Sequence, residues 1–342
     1  MKDKKYASKP PNYTALIKGR LFELVLNELI HKSGFVLDDS IDQLNQSKRK
    51  IHGRGGVHQL DVVGRFNFGI PFVYPLLLIG EAKCYTRKVR IGEVRQFLGL
   101  FIDVTQYHRV ETHKDWGRRY QFIFKPKHTY CPAFFSLYGF ARSAEAFMFA
   151  HGIFPISYQK NYPMERLNKL MNGVLANIRV TKFRVQEFKY LTKYSELPKL
   201  PDTLQKKEYL KRLTSLNEYL DKVNSYIGVL DNMYPISILS TKRNIPRHGN
   251  VVKLERENEM VIKIKSSGNR EYGTFTLSSE FLNGYIKRAR TDEKILSKID
   301  LLIHRKGTVS IAQLAISKES RETLLKEKEV QIKPAQSEST NE

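Results

Sequence analysis

Apolar positions along the chain follow a helical period, then a strand period, then both in alternation. Over residues 13–33, Leu16, Leu21, Leu24, Leu26, Leu29 and Ile30 recur at helical spacing, and Gly34 follows as a stop. Phe35-Val36-Leu37 reads as a short strand, and the polar stretch from Asp38 to Gly53 as a loop. Gly55-Gly56 opens a strand over about 57–66. A turn at Asn67-Phe68-Gly69 leads to another strand over about 72–83, so the two form a hairpin. Ile91 to Val104 is an amphipathic helix through Val94, Phe97, Leu98, Phe101 and Ile102. A strand (Ala133–Tyr138), a helix (Phe140–His151) closed by Gly152, and a strand (Ile153–Ser157) complete the pattern. This order predicts an α/β domain with a mixed sheet.

Beyond residue 160 the pattern changes. Residues 163–194 read as basic helix, and Pro198 and Pro201 mark a linker. Leu213, Leu216, Leu220, Val223, Ile227, Leu230 and Tyr234 alternate spacings of three and four, a heptad seam of about three repeats. Such a helix serves either dimerisation or packing within the chain, and so short a seam favours the second. Residues 236–278 read as β-rich and 279–328 as helical, with a helix-turn-helix outline around Thr308–Leu314. The polar end has no periodicity and is expected to be disordered. The expected division is a domain over 1–160, a basic helical and α+β domain for target recognition or oligomerisation over 161–328, and a tail over 329–342.

Charge narrows the partners. The 342 residues carry 58 Lys and Arg against 35 Asp and Glu, a net +23. Residues 1–160 hold 25 and 13 of these, a net +12, so the basicity is spread through the chain. A polyanion is the expected partner: nucleic acid first, an anionic membrane surface second, with a basic surface kept for solubility as the bland reading. At 41% hydrophobic and 27% charged residues, the chain is neither collagen-like nor wholly disordered. Two cysteines, Cys84 and Cys131, make no disulfide framework and fit a reducing, cytoplasmic setting. No Cys/His group has zinc spacing, no secretory signal opens the chain, and the apolar run Pro71–Gly80 is too short for a membrane span.

The candidate chemistry lies at Glu81-Ala82-Lys83. An acid two residues before a lysine also occurs at Asp3, Glu187 and Asp292, but only Glu81 ends an apolar run and has an acid, Asp61, on the preceding strand. Residues two apart in a strand share a face, so Glu81 and Lys83 emerge together with Asp61 opposite them. Two carboxylates and a lysine suit phosphodiester hydrolysis. Asp61, Glu81 and the Ala82 carbonyl offer oxygens to a hard cation such as Mg²⁺, which acidifies a bound water. Lys83 then orients or helps deprotonate that water, or stabilises the transition state. The bland alternative is a salt bridge between strand residues.

Asp61 followed by Glu81-Ala82-Lys83 resembles the PD-(D/E)xK nuclease motif, and the flanking segments resemble those of Mrr-like restriction endonuclease domains. Gly55-Gly56-Val57-His58-Gln59-Leu60-Asp61 resembles the lead into the motif's Asp, with Leu60 where Pro is usual. Gly19-Arg20-Leu21-Phe22-Glu23 resembles the family's first helix, Ile91–Val104 with Gln96 its next, and Phe140–Ile153 its last helix and strand. The match covers roughly residues 13–158. It implies a restriction-endonuclease-like sheet flanked by helices. It also implies roles for Glu23 and Gln96 beside Asp61, Glu81 and Lys83, and Mg²⁺ as cofactor with Mn²⁺ as a substitute.

Glu23 is otherwise an ion-pair partner of Arg20, and Gln96 a solvated helix residue. His58 reads as structural. An insertion over about 108–132 interleaves bases and aromatics. There Arg118, Arg119, Lys125 and Lys127 either grip a phosphate backbone or decorate an exposed loop. The implied function is an Mg²⁺-dependent endodeoxyribonuclease in restriction or defence, acting on DNA, as a homo-oligomer or with a partner protein of a defence system. The alternatives are a non-catalytic nucleic-acid-binding protein and a structure-specific repair nuclease or resolvase.

Overall fold

The computed structural model describes residues 13–36, 50–67, 74–106, 109–115, 118–124, 128–180, 204–231, 234–242, 249–292, 294–305 and 308–326. The first half runs α1 (Tyr13–Lys32), β1 (Phe35–Val36), β2 (Lys50–His52), β3 (Val57–Gln59), β4 (Val62–Phe66) and β5 (Leu76–Lys83). It continues with α2 (Ile91–Thr105), β6 (Arg109–Asp115), β7 (Arg118–Phe124), β8 (Thr129–Ser136), α3 (Arg142–Ala150), β9 (Phe154–Ser157) and α4 (Tyr162–Val180). The second half runs α5 (Leu204–Lys222), β10 (Asn224–Leu230), β11 (Tyr234–Ser240), β12 (Val251–Arg256), β13 (Val261–Ser266) and β14 (Glu271–Thr276). It ends with α6 (Ser279–Ala289), β15 (Lys298–Arg305), β16 (Thr308–Ile316) and α7 (Lys318–Lys326).

One sheet of twelve strands spans both halves in the order β1-β4-β5-β8-β9-β14-β11-β10-β15-β16-β12-β13. From β1 to β5 neighbours are antiparallel, and β5, β8 and β9 are parallel. β13 also pairs with β14, closing seven strands into a barrel. Its neighbours are antiparallel except β12 and β16. The expected restriction-endonuclease-like sheet flanked by helices, followed by a helical or α+β domain, is therefore overturned. The sheet of the first half joins a closed mixed barrel at the single pair Ser157↔Thr276. Closure removes the free edges that an open sheet would leave.

The physical reason is local. Leu213, Leu216 and Leu220 do face a core from α5, but that helix stops at Lys222. Ile227 and Leu230 belong to β10, where Tyr226, Gly228 and Leu230 alternate as buried positions. A spacing of three and four over so short a run also admits a strand, and Val223, Ile227 and Val229 favour one. Residues 308–314 are likewise strand, paired along β15, so no helix-turn-helix forms there. The expected linker at 197–202 and tail at 329–342 lie outside the described residues.

Three cores result. α1, α4 and α5 cover one face of the first-half sheet, with Leu21, Phe22, Leu26 and Leu29 packed on Val62, Leu78 and Phe135. α2 and α3 cover the other face through Val94, Phe97, Ala144 and Met148 on Val63, Leu77, Ile79 and Phe134. The barrel encloses the third, including Ile236, Ile264, Phe275, Leu301 and Leu314, with Tyr285 of α6 and Leu324 of α7. A barrel of this size is filled by side chains rather than hollow. Among the described residues, no helix is long and apolar enough to cross a membrane.

Candidate active site at the end of β5

β5 outruns its partner on one side. β4 follows it only to the pair Val62↔Gly80, whereas β8 follows to Lys83↔Ser136. At Asp61 the chain bends away, because β3 pairs with β2 instead. The Ala82 N–H, left without a strand partner on that edge, donates to Asp61 Oδ2 at 2.9 Å. Asp61 thus takes the place of the missing strand, with its carboxylate held against the backbone between Glu81 and Lys83.

Helix α1 braces this bend. Asn27 Nδ2 donates to the Asp61 carbonyl at 2.9 Å and to the Glu23 carbonyl at 2.6 Å. Arg20 Nη1 bonds Glu23 Oε2 at 2.5 Å, so the ion pair open to Glu23 from its sequence is formed. Glu23 stands beside the core-facing stripe, on the side of exposed Leu16. It is near enough to act electrostatically on Glu81.

The charges of the site converge on Glu81. Burial raises its pKa above the ordinary glutamate value, and the charge of Asp61 and, more weakly, that of Glu23 add to the rise. Lys83 opposes this through its charge and its hydrogen bond to Glu81 Oε1. For Lys83 itself burial pulls the pKa down, but Glu81, Asp61 and Tyr85 outweigh it and the net direction is up. The ammonium therefore stays charged throughout the neutral range.

The other expected residues fall differently. Gln96 is exposed on α2, whose buried side is Val94, Phe97 and Val104. Arg118 and Arg119 lie in β7, which forms with β6 a separate two-stranded sheet; their side chains, and Lys125 and Lys127 entirely, lie outside the described residues. His58 does hold structure: its Nε2 meets Asp103 Oδ2 at 2.6 Å, and the Gly55 N–H donates to Asp103 Oδ1 at 2.8 Å. These bonds tie the β2–β3 hairpin to the end of α2 and hold the Asp103 carboxyl below its usual range.

Sequence reasoning missed Asn27, for which no pattern signal existed. It also missed the segment Cys84–Arg87, which directly follows Lys83 and, with Lys18 and Asn172, lines a cleft of about 730 Å³. Its position next to the motif was the available signal.

Among the described residues, no group of three or more His, Cys, Asp and Glu side chains is gathered as a metal site. The set here is two carboxylates and a backbone carbonyl. Its chemistry fits a hard cation nonetheless: the donors are oxygens, and the repulsion that Asp61 and Glu23 impose on Glu81 is what a cation would relieve. Comparison with family models gave no match, nor did comparison with curated proteins. Among solved structures, a protein of unknown function, AF1548, is similar at 12% identity over 58% of this chain and 99% of that one, with a TM-score of 0.34. A likeness at that level carries no argument.

Proposed function

We propose that the chain is an Mg²⁺-dependent endodeoxyribonuclease using PD-(D/E)xK-type chemistry, with restriction or defence against foreign DNA as its role. The observation that supports this most is the placing of Asp61 against the backbone of the Glu81–Lys83 segment, with the charge of Asp61 opposing ionisation of Glu81. Asp61, Glu81 and the Ala82 carbonyl would hold the cation, which when bound supplies charge neutralisation and an acidified water.

The chain's own groups do the rest. Asp61 is fixed by the Ala82 N–H, and Glu81 is oriented by Lys83. Lys83, charged at neutral pH, faces a phosphate as a positive group that stabilises developing negative charge, rather than as a base. Glu23 and Arg20 set the local potential from α1. Gln96, exposed on α2, is given no part.

A second reading draws on one bond. The Lys83–Glu81 ion pair is also what a purely structural pair looks like, and it favours a non-catalytic nucleic-acid-binding protein. Plasmid cleavage separates the two. Wild type is expected to nick or cut DNA with Mg²⁺, or with Mn²⁺ in its place, and to stop in EDTA. Glu81→Ala and Lys83→Ala are each expected to lose about 10²–10³-fold in rate. Cleavage that survives Glu81→Ala overturns the site, and salt-sensitive binding without cleavage in all three proteins selects the second reading.

A further inference from the structure

The β2–β3 ribbon stands outside the large sheet and has two unlike faces. Its register pairs Lys50 with Gln59, Ile51 with His58 and His52 with Val57. Alternation puts Ile51 and His58 on one face, where Ile51 packs against the core beneath α2 and His58 bonds Asp103. Lys50, His52, Val57 and Gln59 share the other face, and the last three are exposed.

The ribbon is held firmly from its inner side. The Asp103 carbonyl accepts from the Arg54 N–H at 3.0 Å, in addition to the bonds its carboxylate makes with His58 and with the Gly55 N–H. Gly53 lies so close to Asp103 and the His58 ring that a Cβ there would collide with both. The tip, Arg54-Gly55-Gly56, is exposed.

Charge and position say what the outward face can take. From Lys50 to Gln59 the chain holds a lysine, an arginine and two histidines, with no acid and no Phe, Tyr or Trp. Such a face complements a polyanion, and without those rings to stack on unpaired bases it suits a duplex rather than a single strand. The major groove of DNA, about 12 Å wide, admits a two-stranded ribbon, and Lys and Gln are side chains that bond base edges there. Gln59 precedes Asp61 by two residues, so their Cα atoms are at most about 7 Å apart.

Resting on the nuclease reading above, we propose that the ribbon lies in the major groove of the duplex whose phosphate is held at Asp61, Glu81 and Lys83. Lys50 and Gln59 meet base edges, and Arg54 at the tip meets a backbone phosphate. The groups that enter the groove and the carboxylate of Asp61 then share one short stretch of chain.

Cross-linking in EDTA tests this placement. Val57→Cys, on the outward face, is labelled with an azidophenacyl group and irradiated with a random-sequence duplex. It is expected to cross-link to bases. The cross-link is expected to vanish when the cytosines carry glucosylated hydroxymethyl groups, which fill the major groove, and to persist with netropsin, which fills the minor groove. Ile311→Cys, exposed on the barrel, is expected to give no more cross-link than wild type treated alike. Without any label, Lys50→Ala and Arg54→Ala are each expected to lower the slope of log affinity against log salt by about one, at an unchanged melting temperature. A labelled Val57→Cys that binds the duplex without cross-linking overturns the ribbon, as does a cross-link blocked by netropsin or a slope that neither alanine changes. Cleavage with Mg²⁺ is measured separately: cutting with no cross-link sinks the ribbon and keeps the nuclease, whereas the cross-link with no cutting keeps the ribbon and sinks catalysis. Failure of wild type to bind any duplex sinks both.

Discussion

Glu81 binds its proton more tightly in the folded chain than a free glutamate does, because burial and the charges of Asp61 and Glu23 act in the same direction. An acid whose folded pKa is raised loses favourable free energy as pH climbs from its ordinary value through the raised one. A divalent cation competes with that proton, so the dependence of its binding has the opposite sign. The Mg²⁺-induced rise in melting temperature is expected to be absent near pH 4.5 and to grow as pH passes the raised value. At a hundredfold excess over Kd the gain is about 2.7 kcal/mol. On the proposed reading, Asp61→Asn removes both an oxygen ligand of the cation and a charge that repels Glu81, and is expected to abolish the shift at every pH; calorimetric scans with and without Mg²⁺ read this directly. Asn27 is the complementary case. Asn27→Ala leaves the Asp61 carbonyl without its amide partner and is expected to cost about 1–3 kcal/mol. On the proposed reading its cleavage rate is expected to fall with little change in DNA affinity, because Asn27 bonds the backbone that carries Asp61.

β5 and β4 have to lie close for Asp61 to reach Ala82, and Gly80 permits that approach. A Cβ at Gly80 would come within 2.9 Å of both the Phe135 ring and Val62 Cβ, in the packed layer beneath α1. Gly80→Ala is therefore expected to destabilise by about 1–3 kcal/mol in urea melts and to displace the Glu81 segment, lowering cleavage as well. This corner was legible from the sequence because one apolar strand ends in Glu81 and Lys83, and the alternation of a strand fixes their common face. The bend at Asp61 was not legible, since Val57 to Phe66 reads as one continuous strand. It breaks because Val57–Gln59 pairs with Lys50–His52 while Val62 onward pairs with β5. The barrel was hidden for a different reason. The run from Leu213 to Tyr234 satisfies a helical period across what becomes a helix, a turn and two strands. Only the pairing of β10 with β11 and β15 decides between the readings. A spacing pattern reports on a face; it does not report which distant segment supplies the partner.

The cores are distributed unequally between the halves, and this sets how the molecule comes apart. The core beneath α1 draws on Met164, Leu167 and Met171 of α4 and on Tyr209, Leu213, Leu216 and Leu220 of α5, with Leu239 from the barrel. Lys32 Nζ reaches from the end of α1 to the Leu220 carbonyl at 2.6 Å, and Ser33 Oγ meets Ser225 Oγ at 2.9 Å. The barrel, by contrast, closes on itself and holds its core within residues 226–324. Polar ties cross between the halves: Tyr158 to Ser237 at 3.1 Å, and Tyr234 to Glu145 at 3.3 Å. They add specificity to the junction, but each contributes only about 1 kcal/mol. A fragment of residues 1–160 lacks α4 and α5 and with them Met164, Leu167, Met171, Tyr209, Leu213, Leu216 and Leu220, the side chains that complete the core around α1. It is expected to show no cooperative melt and to bind hydrophobic dyes. A fragment of residues 223–326 keeps the closed barrel and both of its helices, and is expected to unfold in one cooperative transition below that of the full chain. Circular dichroism melts of the two fragments decide this: a cooperative 1–160 would mean that its sheet and α1 suffice without α4 and α5. A non-cooperative 223–326 would mean that the barrel depends on the strand β9 and the ties that cross to it.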